Sequence, residues 1–389
     1  MKRITTVIAA AGILAAGSLM AKAEGVDEIN PDVAAKLYNP EMLDPSQPVG
    51  ASPLRTFKAK NPPPWKIGYA SSYAGNTWRA NAMEELQNVI VPKWKELGLL
   101  SELVVTQSNL NDSTQIQQMR QLVDQGVDAI IVCCSNPTAL NQTVQYAYDK
   151  GVPVFSLTGY LTAETAINSS VNYQVAGFDI GKAMVDELGG KGKVLVVEGI
   201  PGTSGSDSQD RGVKAGLATS PDIEIVGSIA GMWTDQVAQG EVQKWLATHP
   251  GKLDGIVVQS AAEMGVLRAI AQSGREGVKV AVGGEMGALC SWRKNPDLIS
   301  VAVQTWPPAD EIQLIWDIMM RTLQGQGPKV QSVLVAPVTL THEDVMKAVA
   351  EDCDENAQNW LAVGKDNWGS EAYLNDFFVN PADPMAYKP

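Results

Sequence analysis

From Lys66 onward the 389-residue chain alternates short β-branched apolar runs with amphipathic stretches of helical spacing, a rhythm that layered α/β architectures accommodate and all-α or all-β ones do not. Strands are expected over 66–71, 103–106, 129–133, 154–157 and 167–171, with helices over 79–97, 113–125 and 139–150 between them. Asp112 or Ser113 is the expected N-cap of the second helix. A second series follows, with strands over 193–198, 224–228, 255–259 and 278–282 and helices over 174–188, 209–217, 235–247 and 263–272. Strand–helix–strand units lay their strands in parallel with helices on both faces, so two consecutive series predict two doubly wound parallel-sheet lobes. A strand over 299–303 then runs into Gln304-Thr305-Trp306-Pro307-Pro308, where the chain is expected to cross between lobes before helices over 310–324 and 343–350. The aromatic tail with Trp360, Trp368, Tyr373, Phe377 and Phe378 is expected to pack on a lobe surface.

Two segments of different character precede this core. Met1-Lys2-Arg3, an apolar run from Ile4 to Met20 and the Ala21-Lys22-Ala23 step have the layout of a secretory signal peptide over 1–23, which predicts export of a soluble protein to a bacterial periplasm. Residues 24–64 are punctuated by prolines and lack periodicity, the pattern of an arm that wraps the domain or stays mobile. Removing 1–23 takes away three basic residues and no acid, so the formal net charge of −13 becomes −16 and nucleic acid is disfavoured as a partner. Four cysteines in an oxidising compartment allow three pairings; Cys290 with Cys353 is the one expected. Cys133 and Cys134, adjacent at the end of an apolar strand, are expected as buried free thiols because alternation sends them to opposite faces. With two histidines and no Cys/His spacing for zinc, neither a metal nor a cofactor is expected.

In open α/β sheets ligands bind beyond the carboxyl ends of the strands, and the residues there are polar and uncharged in both series. They include Asn76, Asn136, Thr158, Gln259 and Ser260, joined by Glu285. Taken singly each is an ordinary cap or turn residue, but their recurrence points to a shared pocket. In the segment WKIGYASSYAGNTWR, Asn76, Trp78 and Arg79 arrive together at the mouth of a helix: an aromatic face for the apolar side of a sugar ring, an amide and a guanidinium for its hydroxyls. Trp78 also suits a core position and Arg79 a surface one. Trp233 is the matching aromatic of the second series, and Glu285 suits either adjacent hydroxyls or an ion pair with Arg79. The Gly199–Gly205 segment lacks the Gly-Lys-Ser/Thr ending of a phosphate loop. No nucleophile elbow and no paired carboxylates suited to glycoside hydrolysis stand out, so a binding protein rather than an enzyme is expected.

Together these residues resemble the ribose-binding family of periplasmic solute-binding proteins, the type I fold serving sugar ABC transporters. The resemblance rests on Gly75-Asn-Thr-Trp-Arg79, Cys134-Ser-Asn-Pro-Thr138, Gly199-Ile-Pro-Gly-Thr-Ser204 with Asp210-Arg-Gly212, the His249-Pro250 step with the strand to Gln259, and Gly283-Gly-Glu285. It implies a first lobe over 65–171 plus 306–336, a second over 172–305 plus 337–389 including the tail, and three hinge crossovers at Asn172, Gln304 and Pro337. It further implies ligand contacts from Asn76, Trp78, Arg79, Asn136 and Thr158 on one side, from Gln209, Trp233, Gln259, Ser260 and Glu285 on the other, and from Gln304 at a crossover. Two departures bear on the ligand: Thr158-Gly159 stands where ribose binders carry an aspartate-arginine pair, and Arg79 replaces a second aromatic. The stretch after Ser204 is slightly longer than usual, so Asp207 and Ser208 compete with Gln209 for one position. The implied role is a monomeric receptor that captures a pentose, branched sugar, polyol or sugar acid and delivers it to a membrane permease. A sensory receptor docking on a chemoreceptor or sensor kinase shares this pattern, and an exported carbohydrate-active enzyme is the remaining class.

Overall fold

The computed structural model describes residues 25–133, 136–297, 303–362 and 371–388. The first lobe is built on β1 (Trp65–Ser71), β2 (Leu100–Gln107), β3 (Ala129–Cys133), β4 (Val154–Leu157), β5 (Ala166–Val171) and a late strand, β11 (Ser332–Val335), all parallel in the order β11-β5-β4-β3-β1-β2. Every residue of β3, β4 and β5 is buried, as expected where helices cover both faces of a parallel sheet. One face carries α2 (Thr77–Glu85), which continues through a π-helical turn (Leu86–Ile90) into α3 (Val91–Glu96), together with α11 (Pro308–Leu323). The other carries α4 (Asp112–Asp124) and α5 (Asn141–Asp149). Asn111, not Asp112 or Ser113, caps α4: its side chain accepts from the Thr114 amide at 2.8 Å, so the helix begins a residue earlier than its periodicity suggests.

The second lobe is a parallel sheet of β6 (Lys191–Glu198), β7 (Asp222–Ala230), β8 (Gly255–Val258) and β9 (Lys279–Ala281) in the order β7-β6-β8-β9. In β6, Leu195 and Val197 pack against α8 (Asp235–Thr248), α9 (Glu263–Ser273) and α10 (Met286–Lys294), while Val194 and Val196 face α6 (Tyr173–Glu187) and α7 (Ser204–Leu217). The helix α10 is absent from the periodicity reading. Its short run, MGALCSWRK, follows the GGE step directly and mixes small and polar residues, although six of its nine positions are buried. The pair α6 and α7 lies unusually close. A Cβ added at Gly177 or Gly181 would strike the backbone of α7, and one at Gly212 or Gly216 the backbone of α6.

Between β1 and β12 the chain passes between the lobes three times. It crosses at Asn172 between β5 and α6, before Trp306 between β10 (Val303–Thr305) and α11, and at Pro337 between β11 and β12 (Val338–Leu340). Val171 and Val335 are register partners, the Asn172 amide donates to the Val335 carbonyl at 3.0 Å, and β10 runs antiparallel to β12 with Gln304 opposite Thr339. Gln304 thus has a defined backbone position, while its side chain lies outside what the structure describes, as do Ile299 and Trp368.

Two expectations are corrected at the periphery. The end of the chain does not belong with the second lobe: α13 (Glu371–Asp376), Leu374, Phe377 and Phe378 join the first-lobe core, and the Lys329 amide donates to the Phe377 carbonyl at 2.8 Å. Large apolar side chains there follow the face that can bury them. The preceding piece, α12 (His342–Ala348) with Val349 and Cys353, packs on α10, tied by the Cys290–Cys353 disulfide, while the Trp360 ring joins the first-lobe core. Cys133 is not a free thiol but disulfide-bonded. Burial in a strand does not by itself keep a thiol reduced in an oxidising compartment; Cys134 lies outside the described residues. The proline-punctuated arm wraps rather than dangles, folding into α1 (Pro31–Leu37) and packing Leu37, Tyr38, Leu43 and Leu54 into the first-lobe core.

Candidate functional site

The helix α2 opens where β1 has delivered a loop to the carboxyl edge of the sheet. Asn76 caps it, accepting from the Arg79 amide at 2.9 Å, and this fixes the first turn so that Trp78 and Arg79 point toward the cleft. The Trp78 indole N–H donates to the Trp306 carbonyl at 3.0 Å, binding α2 to the crossover. Arg79 lies over the Trp78 ring with its guanidinium carbon 4.4 Å from the centroid, and donates to the Thr158 hydroxyl. Trp78 is therefore both core and cavity wall, two roles the residue pattern could not separate.

The lobes meet around a cavity of about 40 Å³. The first lobe supplies Asn76, Trp78, Arg79 and Thr158, and the second supplies Gln209, Trp233, Ser260 and Ala261. Tyr173 and Trp306, both at crossovers, complete the wall and touch edge to face with ring centroids 5.6 Å apart. Sequence reasoning missed these two as site residues. The signal was present, since each stands immediately after a crossover. Of the three candidates at the start of α7, Gln209 lines the cavity, while the Ser208 hydroxyl turns away to Asp44 at 2.7 Å and Asp207 accepts from the Gly202 amide at 2.9 Å.

Backbone strain is concentrated here. Thr158, Met232, Trp233 and Ala261 have φ of 55°, 56°, 50° and 67°, the left-handed region that residues with a Cβ avoid. All four lie in loops just past β4, β7 and β8, where the chain turns sharply at the rim of the cleft. The Trp233 ring lies directly on Gly199, where an added Cβ would occupy the ring itself. Gly199→Ala is therefore expected to expel the indole from its place and lower ligand affinity by about tenfold or more, with a modest loss of stability. Titration calorimetry beside a thermal melt checks this, and unchanged affinity would mean that Trp233 is not a ligand contact.

Three residues expected at the ligand are not among those that line the cavity. Asn136 sits exposed in a turn and spends its carbonyl oxygen on the Thr138 amide and hydroxyl, both at 3.0 Å, and on the Ala139 amide at 3.1 Å. Gln259 is buried with its amide committed to Gly199 and Ser206, at 2.8 Å to the Gly199 amide, 2.9 Å to the Ser206 hydroxyl and 3.1 Å to the Ser206 carbonyl. Glu285 faces the other lobe, its carboxyl bonded to Thr77 at the start of α2, and its backbone bridges to Trp360. Burial, then the charge of Asp235, pushes the Glu285 carboxyl up; burial and Glu285 do the same to Glu263 beside it. Glu263 accepts from the Gly283 amide at 2.7 Å and the Ala262 amide at 2.8 Å, and Gly283 is bare because a Cβ there would meet this carboxylate and the Ser260 hydroxyl.

Direct bonds cross the cleft at Tyr73, whose hydroxyl lies 2.8 Å from that of Thr234, and at Tyr160, whose amide donates to the Ser204 hydroxyl at 2.9 Å. The lobes are thus shut on the cavity. Two doubly wound lobes, three adjacent crossovers and a cavity between carboxyl strand edges define a type I periplasmic binding protein. The chain matches the family described as "Periplasmic binding protein domain" over residues 67–327 and belongs to it, as a periplasmic sugar-binding protein of the ribose-binding family. It is 30% identical over 251 residues to the xylitol-binding protein of Mycolicibacterium smegmatis, covering 64% of this chain and 71% of that one. Its fold is similar to a crystal structure of an ABC transporter solute-binding protein from Thermobispora bispora, with a TM-score of 0.67 at 23% identity, covering 74% of this chain and 89% of the other. A solute-binding protein from Mycobacterium smegmatis solved with bound glycerol also gives a TM-score of 0.67, at 19% identity, covering 77% and 99%. These relatives are binding proteins, not enzymes, and the family is that of sugar- and polyol-binding receptors of ABC transporters.

Proposed function

We propose that the protein is an exported receptor that captures a small uncharged polyol or pentose between its lobes and hands it to the permease of an ABC transporter. The observation that carries this reading is the cavity wall, where Trp78, Tyr173, Trp233 and Trp306 face Asn76, Gln209 and Ser260 across a confined space. Rings take the C–H faces of a polyhydroxylated ligand, while amides and hydroxyls take its edge. The cavity of about 40 Å³ is too small for a sugar or polyol as it stands, so its walls must part on binding. With one guanidinium nitrogen committed to Thr158, Arg79 offers less of the fork that grips a carboxylate, so a sugar acid is the weaker fit. The similarity to a protein named for xylitol binding supports the same class.

In this reading residues 1–23 direct export, and Asn172, Gln304 and Pro337 are the hinge positions about which the lobes part. The ligand favours the shut form by touching both lobes at once, and the shut form offers the permease a fixed pair of lobe surfaces. Titration calorimetry of the mature protein with pentitols, pentoses, hexoses and aldonic acids tests it. Pentitols or pentoses should bind, and Trp233→Ala should weaken the best of them by about thirtyfold or more while the protein stays folded. Binding of aldonic acids alone, or a Trp233→Ala variant with full affinity, would refute the assignment.

A further inference from the structure

The arm ahead of β1 touches both lobes and the crossover between them. On the first lobe, the Gln331 amide donates to the Gly50 carbonyl at 3.0 Å, and the Tyr38 hydroxyl donates to the Ser332 carbonyl at 2.6 Å. At the crossover, the Asn172 side chain donates to the Leu37 and Met42 carbonyls at 2.8 and 3.0 Å. Between these anchors lies Asp44, 4% exposed, with one carboxylate oxygen directed to each lobe. Its Oδ1 accepts from the Ser46 hydroxyl at 2.7 Å, which in turn lies 2.8 Å from the Tyr160 hydroxyl of the first lobe. Its Oδ2 accepts from Ser208 at 2.7 Å and pairs with Arg211, both on α7 of the second lobe.

We propose that Asp44 is a positioning residue: the arm is a strap fixed to the first lobe, and Asp44 latches α7 to it, holding the Gln209 helix in place when the lobes are shut. Ser208 and Arg211 flank Gln209, so the helix that presents a cavity residue is the one the strap grips. Rotation about the crossovers carries α7 away from Tyr160 and from the anchored strap, and the Asp44 contacts to Ser208 and Arg211 must then break. A charge-assisted contact made only in the shut form shifts the equilibrium toward that form and slows ligand escape, without changing how the open form meets its ligand.

The inference rests on the reading of the cleft as a ligand site that the lobes close on, and its first test needs no ligand. Small-angle scattering of ligand-free Arg211→Ala, a change at a side chain 45% exposed, should show a larger radius of gyration than wild type, and Asp44→Asn should shift it the same way. Stopped-flow binding of xylitol, or of whichever polyol or pentose calorimetry identifies, should then show dissociation faster by roughly tenfold, with an association rate that does not fall and rises only as far as the open fraction grows. An unchanged radius of gyration in both folded variants overturns the strap. So does an affinity loss that resides in the association rate or in the fraction of active protein, which is what general damage to α7 would produce. Failure of the polyol assignment leaves the scattering result standing, so the two readings fail separately.

Discussion

Gly212→Ala is expected to lower stability by about 3 kcal/mol or more, a large effect for one methyl group. The α6 and α7 axes approach so closely that Gly177 and Gly181 on one helix and Gly212 and Gly216 on the other are the points of backbone contact. A Cβ on Gly212 would fall on the Gln174 carbonyl oxygen, and a Cβ on Gly177 on that of Gln209. Backbone atoms inside two helices cannot swing aside as a flexible side chain would, so the helices must separate. Separation uncovers Ile180, Met184, Val213 and Leu217, which pack between the pair and the sheet. It also displaces Gln209, so affinity should fall with stability. Gly240→Ala in α8 is the control: nothing lies within 4 Å of its added Cβ, and relief of glycine's entropy in a helix should stabilise by about 0.5–1 kcal/mol. Denaturant titrations of the two variants should therefore move in opposite directions, and a Gly212→Ala midpoint equal to wild type would show that the helices tolerate the methyl.

The glycine pair marks the limit of what residue patterns reveal. The strands were legible because β-branched runs such as AIIVC, buried on both faces, have no other economical placement, and the helices because their apolar stripes face those strands. Gly177, Gly181, Gly212 and Gly216 sit at i, i+4 spacing in two predicted helices, but glycine in a helix reads only as a weak position until the neighbouring backbone is known. The site divides along similar lines. Strand ends point to Thr158, Trp233 and Ser260, which the cavity brings together with Asn76, Trp78, Arg79 and Gln209. They point equally to Asn136, Gln259 and Glu285, which bond to turns, loops and the opposite lobe and do not line the cavity. A strand-end amide that binds ligand and one that holds the loop carrying another ligand residue have the same local sequence. Only the partner count separates them. Ala261 contributes to the wall through a left-handed backbone, which leaves no mark in residue type.

Stability should fall as pH rises from about 5 to 8.5, the reverse of ordinary acid denaturation, and Glu311→Gln should remove a good part of that fall. Glu311 lies in the first turn of α11, 2% exposed, under the point where β5 gives way to the Asn172 crossover. Burial pushes its carboxyl up to about 8, against the pull of Arg79 and the Val171 amide and with a further push from Asp310; Tyr173 is the other titratable group that feels it. A carboxyl raised in the folded state binds its proton more tightly folded than unfolded. Its contribution is complete below the usual glutamate range and is lost as pH climbs through 8. Glu263 and Glu285, pushed up by burial and by neighbouring acids, act in the same direction. The carboxylates held low, such as Asp254 and Asp344, titrate below this window and do not offset it. Ionising a group this buried costs roughly a few kcal/mol, so the thermal midpoint should drop visibly across the window. Glu311→Gln keeps the shape and removes the titration. Its midpoint should match wild type near pH 5 and exceed it increasingly toward pH 8.5, whereas parallel curves for the two proteins would mean that Glu311 does not titrate in this range.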